Sequence, residues 1–291
     1  MKGKIMNKST VLLTGGTGFL GSNILKRLLL ENHKVILLKR EKSKIERIEN
    51  EMENIVFYNL ETIELDKIFQ ENDIDIVIHC ATHYGRKDSN PIEVIEANLI
   101  LPLKLLYLSI ENKVSIFINT DTILDKRINY YSLSKSQFKN WLEKMSKDII
   151  AINMELEHFY GPYDDDSKFV TYIIKQLLNN VDALDLTLGE QERYFVYVDD
   201  VVDAFCKVIM ASESYINGYY SFQVATENPI SIREFVEKIR VLCNNNKTAL
   251  NFGSIPYREN EIMKLELNIN PLSNIGWIPS TKLEVGLIKT I

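Results

Sequence analysis

Cysteine is scarce in this chain: Cys80, Cys206 and Cys243 are the only three among 291 residues, and no Cys-x-x-Cys occurs. That composition excludes a disulfide framework and a structural zinc site. It makes a reducing cytoplasm the simplest compartment. Basic charge is not in excess either. Lys and Arg total 34 against 40 Asp and Glu, a net charge of −6, so the footprint of a nucleic-acid binder is missing. No apolar run approaches the roughly 18 residues of a membrane span. The basic, polar stretch 1–8 leads only into Val11-Leu12-Leu13, too short for a secretory h-region. Linkers, low-complexity tracts and internal repeats are absent from the sequence. What is present is an ordinary globular composition, 45% hydrophobic with 14 Tyr and 12 Phe, which rules out global disorder. The length allows about two domains.

The first half alternates apolar strands with amphipathic helices. Val11–Thr14, Lys34–Leu38, Ile55–Tyr58, Ile74–His79, Val114–Asn119 and Ile149–Met154 read as strands. Leu20, Ile24, Leu28 and Leu29 recur at helical spacing, Ile63–Gln70 reads as a short helix, Pro91 opens a long one, and Tyr131–Met145 forms another. Nearly all-apolar strands separated by helices predict a parallel sheet covered on both faces, hence a doubly wound α/β fold of Rossmann type. After Tyr160 the pattern loosens. Helices are expected over 168–179 and up to Met210, the latter capped by Asp199-Asp200, with a strand over Arg193–Val198 and a capping box from Ser231 and Glu234. The expected organisation is a dinucleotide-binding domain over 1–158, to which 194–222 returns, and a smaller C-terminal substrate-binding lobe from 159–193 and 223–291.

Glycine is sparse, 12 in all, yet Gly15, Gly18 and Gly21 stand three apart between the first strand and its helix. That spacing serves a tight turn, close backbone approach to a pyrophosphate, and helix–strand packing. The helix N-terminus then offers its dipole to phosphate. At the end of the second strand an acid would accept a ribose 2′-hydroxyl. This chain has Lys39-Arg40 instead, and guanidinium suits a 2′-phosphate. NADP(H) is therefore the expected cofactor, with solvated surface charge as the plain alternative.

These residues, together with His79-Cys-Ala-Thr82, Asn98, Asn119-Thr120, Tyr131-Ser-Leu-Ser-Lys135, Tyr160-Gly-Pro162, Arg193-Tyr-Phe-Val-Tyr-Val-Asp-Asp200, Arg258 and Gly276-Trp-Ile-Pro279, resemble the extended short-chain dehydrogenase/reductase family. That family holds nucleotide-sugar epimerases, dehydratases and reductases. Within it the chain is most similar to sugar-nucleotide 4-ketoreductases of O-antigen deoxysugar pathways. The resemblance implies NADPH-dependent reduction of a nucleotide-linked 4-keto-6-deoxyhexose, CDP-4-dehydro-6-deoxyglucose first among them. It implies Thr120, Tyr131 and Lys135 as catalytic. Gly15, Thr17, Gly18, Phe19, Leu20, Lys39, Arg40, Asn59, Leu60, Cys80, Ala81, Thr82, Asn98 and Lys135 are the implied cofactor contacts. Tyr84, Asp121, Glu157, His158, Lys168, Arg193 and Arg258 are the implied substrate contacts. A homodimer is implied through helices carrying Leu99, Leu103, Leu106, Ile110, Phe138, Trp141 and Leu142, residues that serve equally as ordinary core. Neither nucleic acid nor membrane is an expected partner.

Tyr131 and Lys135 lie one helical turn apart, so they share a face. A nearby ammonium is expected to lower the phenol from its usual value of about 10, and Thr120 to offer its hydroxyl to the substrate oxygen. Asp121 is followed by Thr122, whereas the resembling dehydratases carry an Asp-Glu pair there; one carboxylate is too few for elimination. Ten residues separate Thr120 from Tyr131, a shorter loop than in many resembling chains, and Glu155 takes a place often held by Arg. His79 and His83 fall on a strand and a loop, not on one helix face, so no metal is expected there. An epimerase with retained NAD and a non-catalytic NADP-binding regulator remain the alternatives.

Overall fold

The computed structural model describes residues 8–86 and 90–291; the reading of a leaderless N-terminus lies mostly outside them. The chain forms two compact units, 1–156 with 202–222, and 157–201 with 223–291.

In the first unit the strands are β1 (Thr10–Thr14), β2 (Lys34–Lys39), β3 (Val56–Asn59), β4 (Ile76–His79), β5 (Ile116–Thr122) and β6 (Ile150–Leu156). They pair in parallel in the order β6-β5-β4-β1-β2-β3, and Gly218–Val224 adds a seventh strand beside β6. The order reverses between β1 and β4. That is the switch point at whose carboxyl edge such sheets bind ligands. The helices are α1 (Phe19–Leu30), α2 (Leu65–Glu71), α3 (Pro91–Ile95), α4 (Leu101–Glu111) and α5 (Tyr130–Met145). One sheet face, carrying Leu12, Ile36, Val77, Phe117 and Ala151, packs with Leu105, Leu106, Phe138 and Leu142 into the core. Fully burying one such side chain contributes about 1.5–3 kcal/mol.

Several elements differ from the sequence reading. The long helix expected from Pro91 is interrupted by a π-turn over Glu96–Ile100. Pro102 has no N–H to give the Asn98 carbonyl four residues back, so the α-pattern cannot run through. Strand β5 runs on to Thr122, which puts Thr120, Asp121 and Thr122 on the sheet itself. Of the residues open to either a dimer face or the core, Leu106, Phe138 and Leu142 are fully buried in the core.

The second unit contains three two-stranded pairings. His158–Tyr160 lies parallel to Phe195–Tyr197, Ala183–Leu186 parallel to Ala249–Phe252, and Glu192–Arg193 antiparallel to Ile230–Ser231. The strand expected over Arg193–Val198 is therefore split at Tyr194. The following helix, Val198–Ala211, already includes Asp199 and Asp200 in its first turn. Asp200 does not cap it. Its carboxylate instead accepts from the backbone of Ser280 and Thr281, while its carbonyl accepts from the Trp277 indole. Ser231 caps Ile232–Leu242 through the Glu234 N–H. Among the described residues no helix is long and apolar enough to cross a membrane.

Candidate active site

The glycine loop sits where β1 ends. Gly15 has φ +71°, and a Cβ there would lie 2.5 Å from Ala81 N and 2.6 Å from Cys80 C. It lets the loop touch the segment after β4, whose Ala81 N–H donates to Thr14 Oγ1. At Gly21 a Cβ would lie 2.2 Å from Gly15 O, so that position closes the helix onto the loop. Gly18 is different. It is the exposed N-cap of α1, φ is −78°, and among the described residues a Cβ would meet only Gly15 O, at 3.2 Å. Packing alone does not require glycine there; close approach of a phosphate does. No described side chain caps this helix and its first turn carries no acid. Loop and helix end thus fit the phosphates of a dinucleotide. Thr17, Phe19 and Leu20 belong to the same turn.

At the end of β2, Lys39 Nζ lies 5.2 Å from the Phe57 ring centre, and Arg40 is exposed. Asn59 Oδ1 accepts from Glu61 N, and Leu60 N donates to Lys39 O. These residues form one surface beyond β2 and β3. Cys80, Ala81 and Thr82 follow β4 at the loop's other flank. Asn98 does a different job from the cofactor contact expected of it. The π-turn carries it to full burial, its Oδ1 accepts from His83 N, and its Nδ2 donates to His83 O and to Ser134 Oγ. It braces the loop after β4 against α5.

The candidate catalytic residues stand where β5 ends and α5 begins. Asn129 and Ser132 form a capping box that starts α5 one residue before Tyr131. Lys135 is buried and donates from Nζ to the Thr120 carbonyl at 2.7 Å. Burial pulls its pKa down to about 8, with Asp121 and then Cys80 opposing. The Tyr131 ring packs on Tyr84, with ring centres 5.2 Å apart. The phenol's pKa is raised, first by burial, then by Tyr84; Thr122 favours the ionised form and Asp121 opposes it. The expected lowering by Lys135 is thus not found, because the ammonium is aimed at a backbone carbonyl. Thr120 also departs from expectation: its hydroxyl donates to His79 O at 2.9 Å. The hydroxyl beside the phenol belongs to Thr122. Asp121 is buried; its Oδ1 accepts from Thr122 N and its Oδ2 from Asn153. His79 pairs with Thr14 Oγ1 through Nδ1, and His83 Nδ1 accepts from Gly85 N.

The second unit holds the remaining candidates. Arg193 is buried, with Nη2 on the Glu261 carboxylate and Nη1 on the Ile262 and Glu192 carbonyls. Its charge is matched inside the fold, unlike the open guanidinium expected for a diphosphate. Arg258 is exposed, three residues before Glu261. Glu157 is buried and pairs with His158 Nδ1 at 3.2 Å. Lys168 is the N-cap residue of Phe169–Leu178. Composition and motif gave no signal for Asn153 or Lys139, and marked Glu155 only as a departure from the family's Arg; the β5–β6 register and α5 bring all three together.

The pattern for the NAD dependent epimerase/dehydratase family matches residues 11–220. The chain is 34% identical to CDP-abequose synthase of Salmonella typhimurium, over 96% of each chain. It is 33% identical to CDP-abequose synthase of Salmonella muenchen, over 97% of this chain and 96% of that one. Among solved structures, UDP-N-acetylglucosamine 4-epimerase from Methanobrevibacter ruminantium superposes with a TM-score of 0.84 at 23% identity, covering 98% and 97% of the two chains.

Proposed function

The chain belongs to the NAD dependent epimerase/dehydratase family, and from that premise we propose that it reduces the C4 ketone of a CDP-linked 4-keto-6-deoxyhexose with NADPH. The full-length likeness to CDP-abequose synthases supports the substrate class. The observation that carries the reaction type is the inventory at the end of β5 and the start of α5: a phenol whose pKa burial raises, a lysine one turn on, and on β5 itself one carboxylate, Asp121, followed by Thr122. A protonated phenol donates, which suits reduction. Elimination needs a second carboxylate, and Thr122 stands in its place.

When bound, the reduced nicotinamide supplies a hydride to the ketone carbon. Gly15 to Leu20 would hold the pyrophosphate, Lys39 and Arg40 the 2′-phosphate, Asn59 and Leu60 the adenine, and Cys80 to Thr82 the middle of the cofactor. Lys135 would hold the ribose hydroxyls next to the ring. Tyr131 keeps a proton at Oη for the oxygen that becomes the new hydroxyl. Thr122 orients that phenol, and Tyr84 shields it from water. Tyr84 and Asp121, with Glu157, His158, Lys168 and Arg258, are the proposed sugar-nucleotide contacts; Arg193 contributes by fixing the 258–262 segment. The chain is proposed to act as a cytoplasmic homodimer, with Leu99, Leu103, Ile110 and the half-exposed Trp141 on the contact face. Trp141→Glu would then give a monomer by light scattering.

The test is incubation with NADPH and a panel of CDP-, dTDP-, GDP- and UDP-linked 4-keto sugars. Stoichiometric loss of dihydronicotinamide with the CDP sugar supports the proposal. Purified protein that carries oxidised cofactor and interconverts C4 epimers without net oxidation would replace it with an epimerase. Replacing Arg40 by Asp should cut the preference for NADPH over NADH by more than about tenfold, one lost phosphate pairing.

A further inference from the structure

Behind the phenol and lysine, Asp121 faces a second buried carboxylate, Glu155, that the reaction above does not use. Asp121 on β5 and Glu155 on β6 are direct register partners, and both are buried, at 6% and 8% exposure. Two like charges side by side inside a protein repel, and burial adds to the cost of each. Three features answer that cost. Asn153 Nδ2 lies 2.9 Å from Asp121 Oδ2 and 3.5 Å from Glu155 Oε1, while its Oδ1 accepts from Asn119. Lys139 Nζ lies 2.5 Å from Glu155 Oε1, to which Ser221 Oγ also donates at 2.9 Å. Lys139 follows Lys135 by one turn of α5, so one helix face brings the Lys139 ammonium onto Glu155 and the Lys135 ammonium within electrostatic reach of Asp121.

The Lys139 side chain is 37% exposed, so this chain of groups reaches from solvent to the site. It is not a path for protons. An amide passes a proton only through its imidic form, and Asn153 stands between the two carboxylates. What crosses is the electric field. We propose that Glu155 and Lys139 are positioning residues of the active site, their charges acting through space on the ionisation of Asp121 and, directly, on that of Lys135. Asp121 is faced by Tyr131, Lys135 and Lys139 from α5, by Glu155 from β6, and by Tyr219 from Gly218–Val224. Of these, Lys139 and Glu155 are a matched pair, so removing either leaves an uncompensated charge of opposite sign.

The sign makes the test. Removing the negative charge of Glu155 makes Asp121 easier to ionise and Lys135 easier to deprotonate, so both midpoints fall. Removing the positive charge of Lys139 leaves Glu155 bare, so both midpoints rise. A charge a few ångströms away in a half-buried setting moves a midpoint by about one pH unit. The experiment labels aspartate carboxyl carbons with 13C, identifies Asp121 by the signal lost in Asp121→Asn, and titrates wild type, Glu155→Gln, Lys139→Met and the double variant. The expected result is a fall of about one unit in Glu155→Gln, a rise of similar size in Lys139→Met, and a return to wild type in the double variant. Shifts of the same sign in both single variants, or no shift in either, would overturn the proposal. Should Lys139→Met not fold, Glu155→Gln against the double variant gives the same reading, since losing Lys139 in that background must raise the midpoint.

The kinetic arm rests on the reductase proposal: the alkaline limb of kcat, set by Lys135, should move in the same two directions. Opposite NMR shifts without turnover of any keto sugar would leave the charge coupling standing and remove the reductase. Normal turnover with an unmoved Asp121 signal would do the reverse.

Discussion

Gly15, Gly18 and Gly21 exclude a side chain for different reasons, and mutation separates them. A methyl at Gly21 collides with backbone at 2.2 Å, and at Gly15 it adds a left-handed φ to a 2.5 Å contact. Either substitution by Ala should destabilise the fold by about 1–3 kcal/mol or more. Gly18→Ala should stay within about 1 kcal/mol of wild type and yet weaken dinucleotide binding at least about tenfold, because its methyl enters the space phosphate would take. Urea unfolding and cofactor titration on the three variants check this. If Gly18→Ala binds dinucleotide normally, the loop is not a phosphate cradle. Tyr131→Phe keeps the ring packed on Tyr84 and removes only the proton donor. Turnover should fall by about 10²–10⁴ with the NADPH dissociation constant unchanged. Near-normal turnover would take Tyr131 out of the chemistry.

At the scale of elements, the start of α5 decides where Tyr131 and Lys135 stand. Asn129→Ala removes the side-chain acceptor for Ser132 N and should cost about 1 kcal/mol. Activity should fall more than stability does, since the loosened turn is the one carrying the phenol. Thermal unfolding alongside steady-state kinetics reads the two effects. Much of this element level was legible in the sequence. The strand–glycine–helix order, the parallel sheet and the Tyr-x-x-x-Lys face all follow from periodicity and spacing. The rest was not, for definite reasons. The Asn129 cap lies in a polar loop where any Asn looks alike. The π-turn follows from Pro102 acting on Asn98, but only the folded helix shows that this turns Asn98 inward. Thr120 and Thr122 lie two apart on one face of the strand, and which hydroxyl meets the phenol depends on where α5 begins. The Asp121–Glu155 pairing depends on β5–β6 register, which no local pattern encodes.

At the scale of the molecule, the buried lysine links the site to global stability. Lys135 has a pKa of about 8 in the fold against 10.5 when unperturbed. Between those values the unfolded chain binds the extra proton, so the wild type gains stability as pH rises through the window. Lys135→Met has no such term. The wild type should gain on the variant by roughly 2–3 kcal/mol across the window, measured by urea unfolding at several pH values. A constant difference would mean that the fold does not lower the Lys135 pKa. The central claim, net transfer of hydride from coenzyme to a sugar carbonyl, has a direct test in isotope labelling. NADPH deuterated at the transferable position should yield a CDP-6-deoxyhexose carrying one deuterium at C4, one for each coenzyme oxidised. A product without coenzyme deuterium at C4, formed while the NADPH remains intact, would contradict it.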